Sequence, residues 1–281
     1  MADDGGAAVT ARVRLVDLPV RLFVAAEGQW RGLLREYLLR GFGGEVQAYG
    51  PEDVARAGHA LDALASVVLP LDGRPERVAG ANVDFGMHAV TPGDFALLQA
   101  VLDDAVQLSR DQKLLVLPPL PEVIALRNWL CGEAVTQAVG ASPTPWRLHG
   151  VGSQPDATPA VWDPSIEPAE DVCWLIGDDR NRIVAASEPV LDLLGWERHQ
   201  LVGQRLLAVI PPAFREAHLA SFTRAVVEGG GSMLGRPLSL AALASDGTTV
   251  PVTVTLTRHR AEAGRSVFLG VLQPREDPST N

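Results

Sequence analysis

The residue best placed to do chemistry is His218. In the stretch PPAFREAHLASFTR, the side chains of Phe214, His218, Phe222 and Val226 recur every fourth residue, which carries the imidazole on the apolar wall of a helix. A neutral imidazole there is a candidate ligand; the competing reading is a structural histidine bonded to a backbone carbonyl or to the seam between helix and strand. His59 and His88 are candidates for the exposed histidine of a phosphotransfer helix, but little charge surrounds His59, and an ordinary surface histidine is the simpler reading. The two cysteines, Cys131 and Cys173, stand in apolar contexts and read as buried thiols of a reducing compartment. The sequence has no glycine-rich phosphate loop with its lysine, no HExxH, no CxxC and no GxSxG. Gly229-Gly230-Gly231 follows a helix pattern with no lysine after it, so it reads as a turn. These observations predict a protein that is not an enzyme and whose output is contact with another protein.

The elements that must position His218 are legible from Val172 onward. Val172–Ile176 predicts a strand, residues 177–181 (GDDRN) a polar turn, and Arg182–Ala186 the returning strand. Ser187 stands as an N-cap before Pro189 and a short helix that Gly195 ends. Pro211-Pro212 opens the longer helix that carries His218. Arg236–Ala244 and Thr249–Thr257 are joined across an Asp246-Gly247 turn, a strong hairpin signal because both residues tolerate positive φ, and Ser266–Leu272 is the last strand. The apolar phase of these elements predicts one core or ligand cavity. Its expected lining is Val184, Leu191, Leu194, Ile210 and Phe222 from the first half, with Leu240, Val252, Val254 and Phe268 from the last three strands.

Three blocks in this order, IVAASEPVLDLLGWERHQLVGQ, IPPAFREAHLASFTRAVVEG and LSLAALASDGTTVPVTVTLT, resemble a PAS domain, the small sensory module of bacterial signalling proteins. The resemblance implies an antiparallel five-stranded sheet, and it implies that the chain works in signal transduction. It also implies a second reading, a haem-based gas or redox sensor. In that reading His218 is the axial ligand to the iron of haem b, and Arg224, Arg236 and Leu238 fall at or beside cofactor-contacting positions. Light-sensing flavin relatives carry a reactive cysteine near the start of the long helix, and Pro211–Phe214 has none. PAS domains commonly pair through the sheet and the segment before it, so the apolar Val161-Trp162 predicts a homodimer.

Ahead of this lie four amphipathic patterns. Leu22, Phe23, Trp30, Leu33, Leu34, Tyr37 and Leu38 give the first, and Val54, Ala57, Leu61 and Leu64 the second. Phe95, Leu98, Val101, Leu102 and Ala105 follow a Thr91-Pro92-Gly93-Asp94 start; Ile124, Trp129, Leu130, Ala134 and Val139 follow Pro121. Ala81–Ala89 reads as extended. Four such helices predict a bundle. The pieces LVDLPVRLFVAAEGQWRGLLREYLL and LPPLPEVIALRNWLCGEAVTQAVGASPTPWR resemble the helical region of bacterial anti-sigma and phosphatase-type regulatory proteins. The fold class is therefore α+β, with a helical bundle at 12–147, a proline-rich linker at 148–171 and the PAS domain at 172–274. The 281 residues suffice for two cores, and a net charge of −10 argues against nucleic acid or an anionic membrane surface as partner. No apolar run of about eighteen residues is evident, which predicts a cytoplasmic protein. The expected function is a cytoplasmic sensor or adaptor that responds to a small-molecule ligand or partner and relays the change by contact with a protein of a bacterial regulatory pathway. No resident cofactor is expected in this reading.

Overall fold

The structure is a computed structural model that describes residues 12–43, 48–72, 80–148, 158–228 and 233–275. It divides into two compact units, Met1–His149 and Gly150–Asn281, each taken by itself below. The glycine run 229–231 lies outside the described residues, as does the 149–157 part of the expected linker.

The first unit holds four long helices, α1 (Val20–Phe42), α2 (Pro51–Val68), α3 (Pro92–Arg110) and α4 (Pro121–Ala138), each close to its predicted span. The Thr91 start works as its residues suggest: the Asp94 carboxylate accepts from the Thr91 backbone N–H and hydroxyl at 2.8 Å and pairs with Arg56 at 2.7 Å. Phe23 and Trp30 meet edge to face at 5.9 Å inside the bundle. The unit is more than a bundle. Strands β1 (Arg12–Leu18) and β2 (Ala81–Gly86) pair antiparallel, with a break in register between Leu15 and Leu18 where Asp17 takes a positive φ of 58°. Gln137 of α4 holds β1 by both ends of its amide, accepting from the Arg14 N–H and donating to the Arg14 carbonyl, each at 2.8 Å.

Two readings of this half are corrected. Val139, expected inside, is 85% exposed. The buried side of α4 instead includes Glu122, Arg127 and Glu133. Arg127 reaches Asp103, and Glu133 accepts from Gln137 and from the Thr144 N–H, so these charges are partnered rather than stranded. Pro51–Leu71 is, by length and composition, apolar enough to cross a membrane, contrary to expectation. Its Ala57, Leu61 and Val68 are wholly buried within the unit.

The second unit is a five-stranded antiparallel sheet in the order β4-β3-β7-β6-β5. Its strands are β3 (Trp174–Asp178), β4 (Ile183–Ala186), β5 (Pro237–Leu243), β6 (Thr249–Arg260) and β7 (Ser266–Pro274). Among the described residues between β4 and β5 lie the α-helices α5 (Glu188–Leu194), α6 (Arg198–Leu201) and α7 (Arg215–Glu228). Gly195 ends α5 at a φ of 65°, where a side chain would be strained. Ser187 does not cap α5 with its hydroxyl; the oxygen accepts the Trp174 N–H at 3.0 Å and locks β3 to the turn after β4.

The two faces of the sheet are both covered. On one side Trp174, Ile176, Val267 and Leu269 form a cluster with Ala160, and Trp162, Ile166 and Val172 pack against it. Residues 158–171 are therefore not a free linker. They form a strap over the sheet, bridged by Trp162 to Ala261 and held at Thr158, whose carbonyl accepts from Arg265 at 2.6 Å. Arg265 also pairs with Asp178 and Asp179, at 3.0 and 2.6 Å, both almost fully buried. Asp178 in turn accepts from the Arg180 and Arg182 N–H groups, which closes the β3–β4 turn.

Candidate functional site

The other face of the sheet looks onto α7 across a cavity of about 190 Å³. The reason for its floor is strand alternation. Phe268, Gly270 and Leu272 point one way along β7, and Val252, Val254 and Leu256 stand beside them on β6. Gly270 leaves the floor low: an added Cβ would touch Leu256 Cδ2 at 3.4 Å, an ordinary contact. A glycine within a strand weakens it and marks a place where another group can come close. Arg224, Met233 and Leu240 line the cavity and are exposed, so they form its mouth.

Among the described lining residues the polar ones all lie on α7: His218, Ser221 and Arg224. The His218 ring shares a 2.9 Å hydrogen bond between its Nε2 and Asn181 Oδ1. Asn181 is fully buried and sits at a φ of 60° in the β3–β4 turn, a conformation asparagine tolerates better than most residues. His218 keeps some surface open to the cavity, yet burial, and after it the nearby charge of Arg205, lowers its pKa to about 4. It is a neutral wall group at physiological pH. Phe222 stacks between His218 and Phe268, with ring centres at 5.8 and 5.2 Å. Arg258 lies over the Phe268 ring at 5.8 Å and donates to Ser266 Oγ, fixing that ring from the far side.

Of the residues read from the sequence, Ile210, His218, Phe222, Arg224, Leu240, Val252, Val254 and Phe268 come together round the cavity. Five others do not. Val184 packs on the strap face, because the register shifts between Ile176–Ala185 and Gly177–Ile183 and makes Val184 the extra residue of a bulge. Leu191 and Leu194 are buried but belong to packing that does not reach the cavity. Arg236 lies exposed just before β5, and Leu238, opposite Val254, stops short of the lining. Phe214, placed on the apolar stripe of the helix, is 56% exposed in a single 3₁₀ turn that precedes α7 and is out of phase with it. Leu175, Leu206, Val209 and Ala242 are lining residues the sequence reading missed. Gly270 was missed as well, although a glycine inside the run VFLGVL was a visible signal.

The residues present do not fit haem. His218 Nε2 is engaged by Asn181, neither Arg236 nor Leu238 reaches the cavity, and about 190 Å³ lies below the roughly 300 Å³ at which pockets for larger organic ligands begin. Neither thiol stands in the cavity lining. Cys131 is buried and its pKa is pushed up to about 12 by burial, which keeps it protonated and inert.

Residues 166–275 match the PAS fold, so the helical unit is followed by a PAS domain with a five-stranded antiparallel sheet. An uncharacterized protein of Azorhizobium caulinodans is 26% identical over 123 residues, which is 43% of this chain and 16% of that protein's length. Among solved structures, the PAS domain of an HTR-like protein from Haloarcula marismortui is 19% identical, with 37% of this chain and 82% of that one covered and a TM-score of 0.31. The PAS domain of the fruit-fly ELK potassium channel is 17% identical, covering 37% and 85%, with a TM-score of 0.30. The light-state structure of the blue-light photoreceptor Aureochrome1 LOV is 23% identical, covering 37% and 82%, with a TM-score of 0.31.

Proposed function

We propose that this PAS domain is the sensing half of a cytoplasmic, non-catalytic signalling protein, that it takes a small molecule into the cavity under α7, and that the helical unit relays the change to a protein partner. The observation that carries this reading is β7. Phe268, Gly270 and Leu272 floor the cavity while Val267 and Leu269, on the opposite side of the same strand, support the strap of residues 158–166. Filling the cavity shifts the balance between packings of that strand, and the strap is the nearest element to respond. The likeness of the N-terminal helices to those of anti-sigma and phosphatase-type regulators supports a protein as the recipient, and the exposed Val161 beside Trp162 supports a homodimer as the working form.

The test is hydrogen exchange on the whole chain with and without a ring-sized apolar probe such as toluene. A dry apolar cavity of about 150 Å³ holds benzene, so one of about 190 Å³ accommodates such a probe. Protection is expected in α7, β6 and β7, with a change in exchange at the strap. Unaltered exchange throughout the C-terminal unit at saturating probe would remove the basis for a sensing cavity.

A further inference from the structure

Resting on that reading, we infer that the cavity selects a small monocarboxylate, its apolar body about the size of one aromatic ring inside the cavity and its carboxylate at the mouth on Arg224 and Ser221. The wall opposite α7 is aliphatic and aromatic throughout, which suits a hydrocarbon body and leaves no hydrogen bonds for a polar one. Among the described lining residues polarity is confined to one seam of α7. Ser221 and Arg224 are three residues apart and so are neighbours on the helix surface, with Arg224 exposed at the mouth. Among the described side chains none forms an ion pair with Arg224, and none of the described lining residues is acidic.

The third member of the seam does not compete for the ligand's charge. His218 is neutral and turned to Asn181, so among the described lining residues Arg224 is the one charged group at physiological pH. A guanidinium meets a carboxylate with two parallel N–H bonds, which a neutral amide of the same shape cannot reproduce. The low floor at Gly270 gives the body its depth; a valine there would begin 3.4 Å from Leu256 and fill the space above it.

The experiment is calorimetric titration of the full chain with phenylacetate, its neutral isostere phenylacetamide, and toluene as the body alone. Phenylacetate is expected to bind roughly tenfold or more tightly than phenylacetamide, the scale of one hydrogen bond to a charged group. Arg224→Met, which keeps the apolar stem at the mouth, should erase that preference while the chain still binds toluene. Gly270→Val should weaken all three probes. Equal affinity for phenylacetate and phenylacetamide, or a preference that survives Arg224→Met, would overturn the carboxylate inference and leave the sensing cavity standing. No binding of any probe by the correctly melting wild-type chain, or binding indifferent to Gly270→Val, would overturn both.

Discussion

Acid should loosen the PAS domain through one residue, and the size of the effect follows from His218. An unfolded histidine titrates near 6.5, whereas burial holds the folded ring near 4. Above pH 6.5 neither state is protonated and the residue contributes no pH dependence. Between 6.5 and 4 the unfolded chain binds a proton that the folded chain refuses, so stability falls as pH falls, at about 1.4 kcal/mol per unit. The loss is of the order of 2 kcal/mol by pH 5 and 3 kcal/mol by pH 4, where the folded ring also takes its proton and the slope flattens. Other groups of the chain also contribute to stability in acid, so the histidine must be isolated by difference. His218→Gln keeps a side chain that bonds to Asn181 but does not titrate. Urea unfolding of both proteins, followed by circular dichroism from pH 7.5 to 4.5, should give parallel stabilities above pH 6.5 and a wild-type curve that falls away from the variant below it. A constant difference between the two across the whole range would show that His218 is not desolvated as its surroundings imply.

Further outcomes follow from the same packing. Phe222→Ala removes a ring held between His218 and Phe268 but already facing a void, so the cost should be about 3 kcal/mol, the lower end for such a truncation, read as a melting point lower by roughly 10 °C. Arg265→Met should cost about 3 kcal/mol in urea unfolding, because Asp178 and Asp179 stay buried with backbone donors and without their cation. Protein purified from cells supplied with excess haem should show no Soret band; a band that His218→Ala abolishes would reverse the exclusion of haem. Light scattering at high micromolar concentration should show a dimer, and a monomer throughout would count against the homodimer.

Most of the fold was legible because its punctuation is local. Prolines at 51, 92, 121 and 212, the Thr91–Asp94 box, Gly195 and the Asp246-Gly247 turn each mark an element boundary by their own backbone chemistry. What escaped depends on contacts distant in sequence. The pairing of β1 with β2 joins residues 63 and more positions apart and has no short turn to announce it. The charges buried on α4 are tolerated because Asp103, Gln137 and Thr144 reach them, which a periodicity of apolar residues does not register. At the site, alternation placed the residues of β6 and β7 correctly but failed at Val184, since a bulge shifts the phase without altering composition. The polar seam of α7 was visible in part. His218 and Arg224 were singled out as cofactor contacts, while the bond to Asn181 that turns the imidazole away could not be read from residues 37 positions apart.

The strap also settles where this module can be cut. Residues 158–171 have the composition of a spacer, and a fusion designed on that basis would join a new partner at Asp171 or Val172. Such a graft discards Ala160, Trp162 and Ile166 and lays bare the Trp174, Ile176, Val267 and Leu269 face, an adhesive surface on the transplanted domain. A junction ahead of Thr158 keeps that face sealed and preserves the Arg265 anchor. Chimeras built on either side of this boundary would differ in solubility before any question of signalling arose.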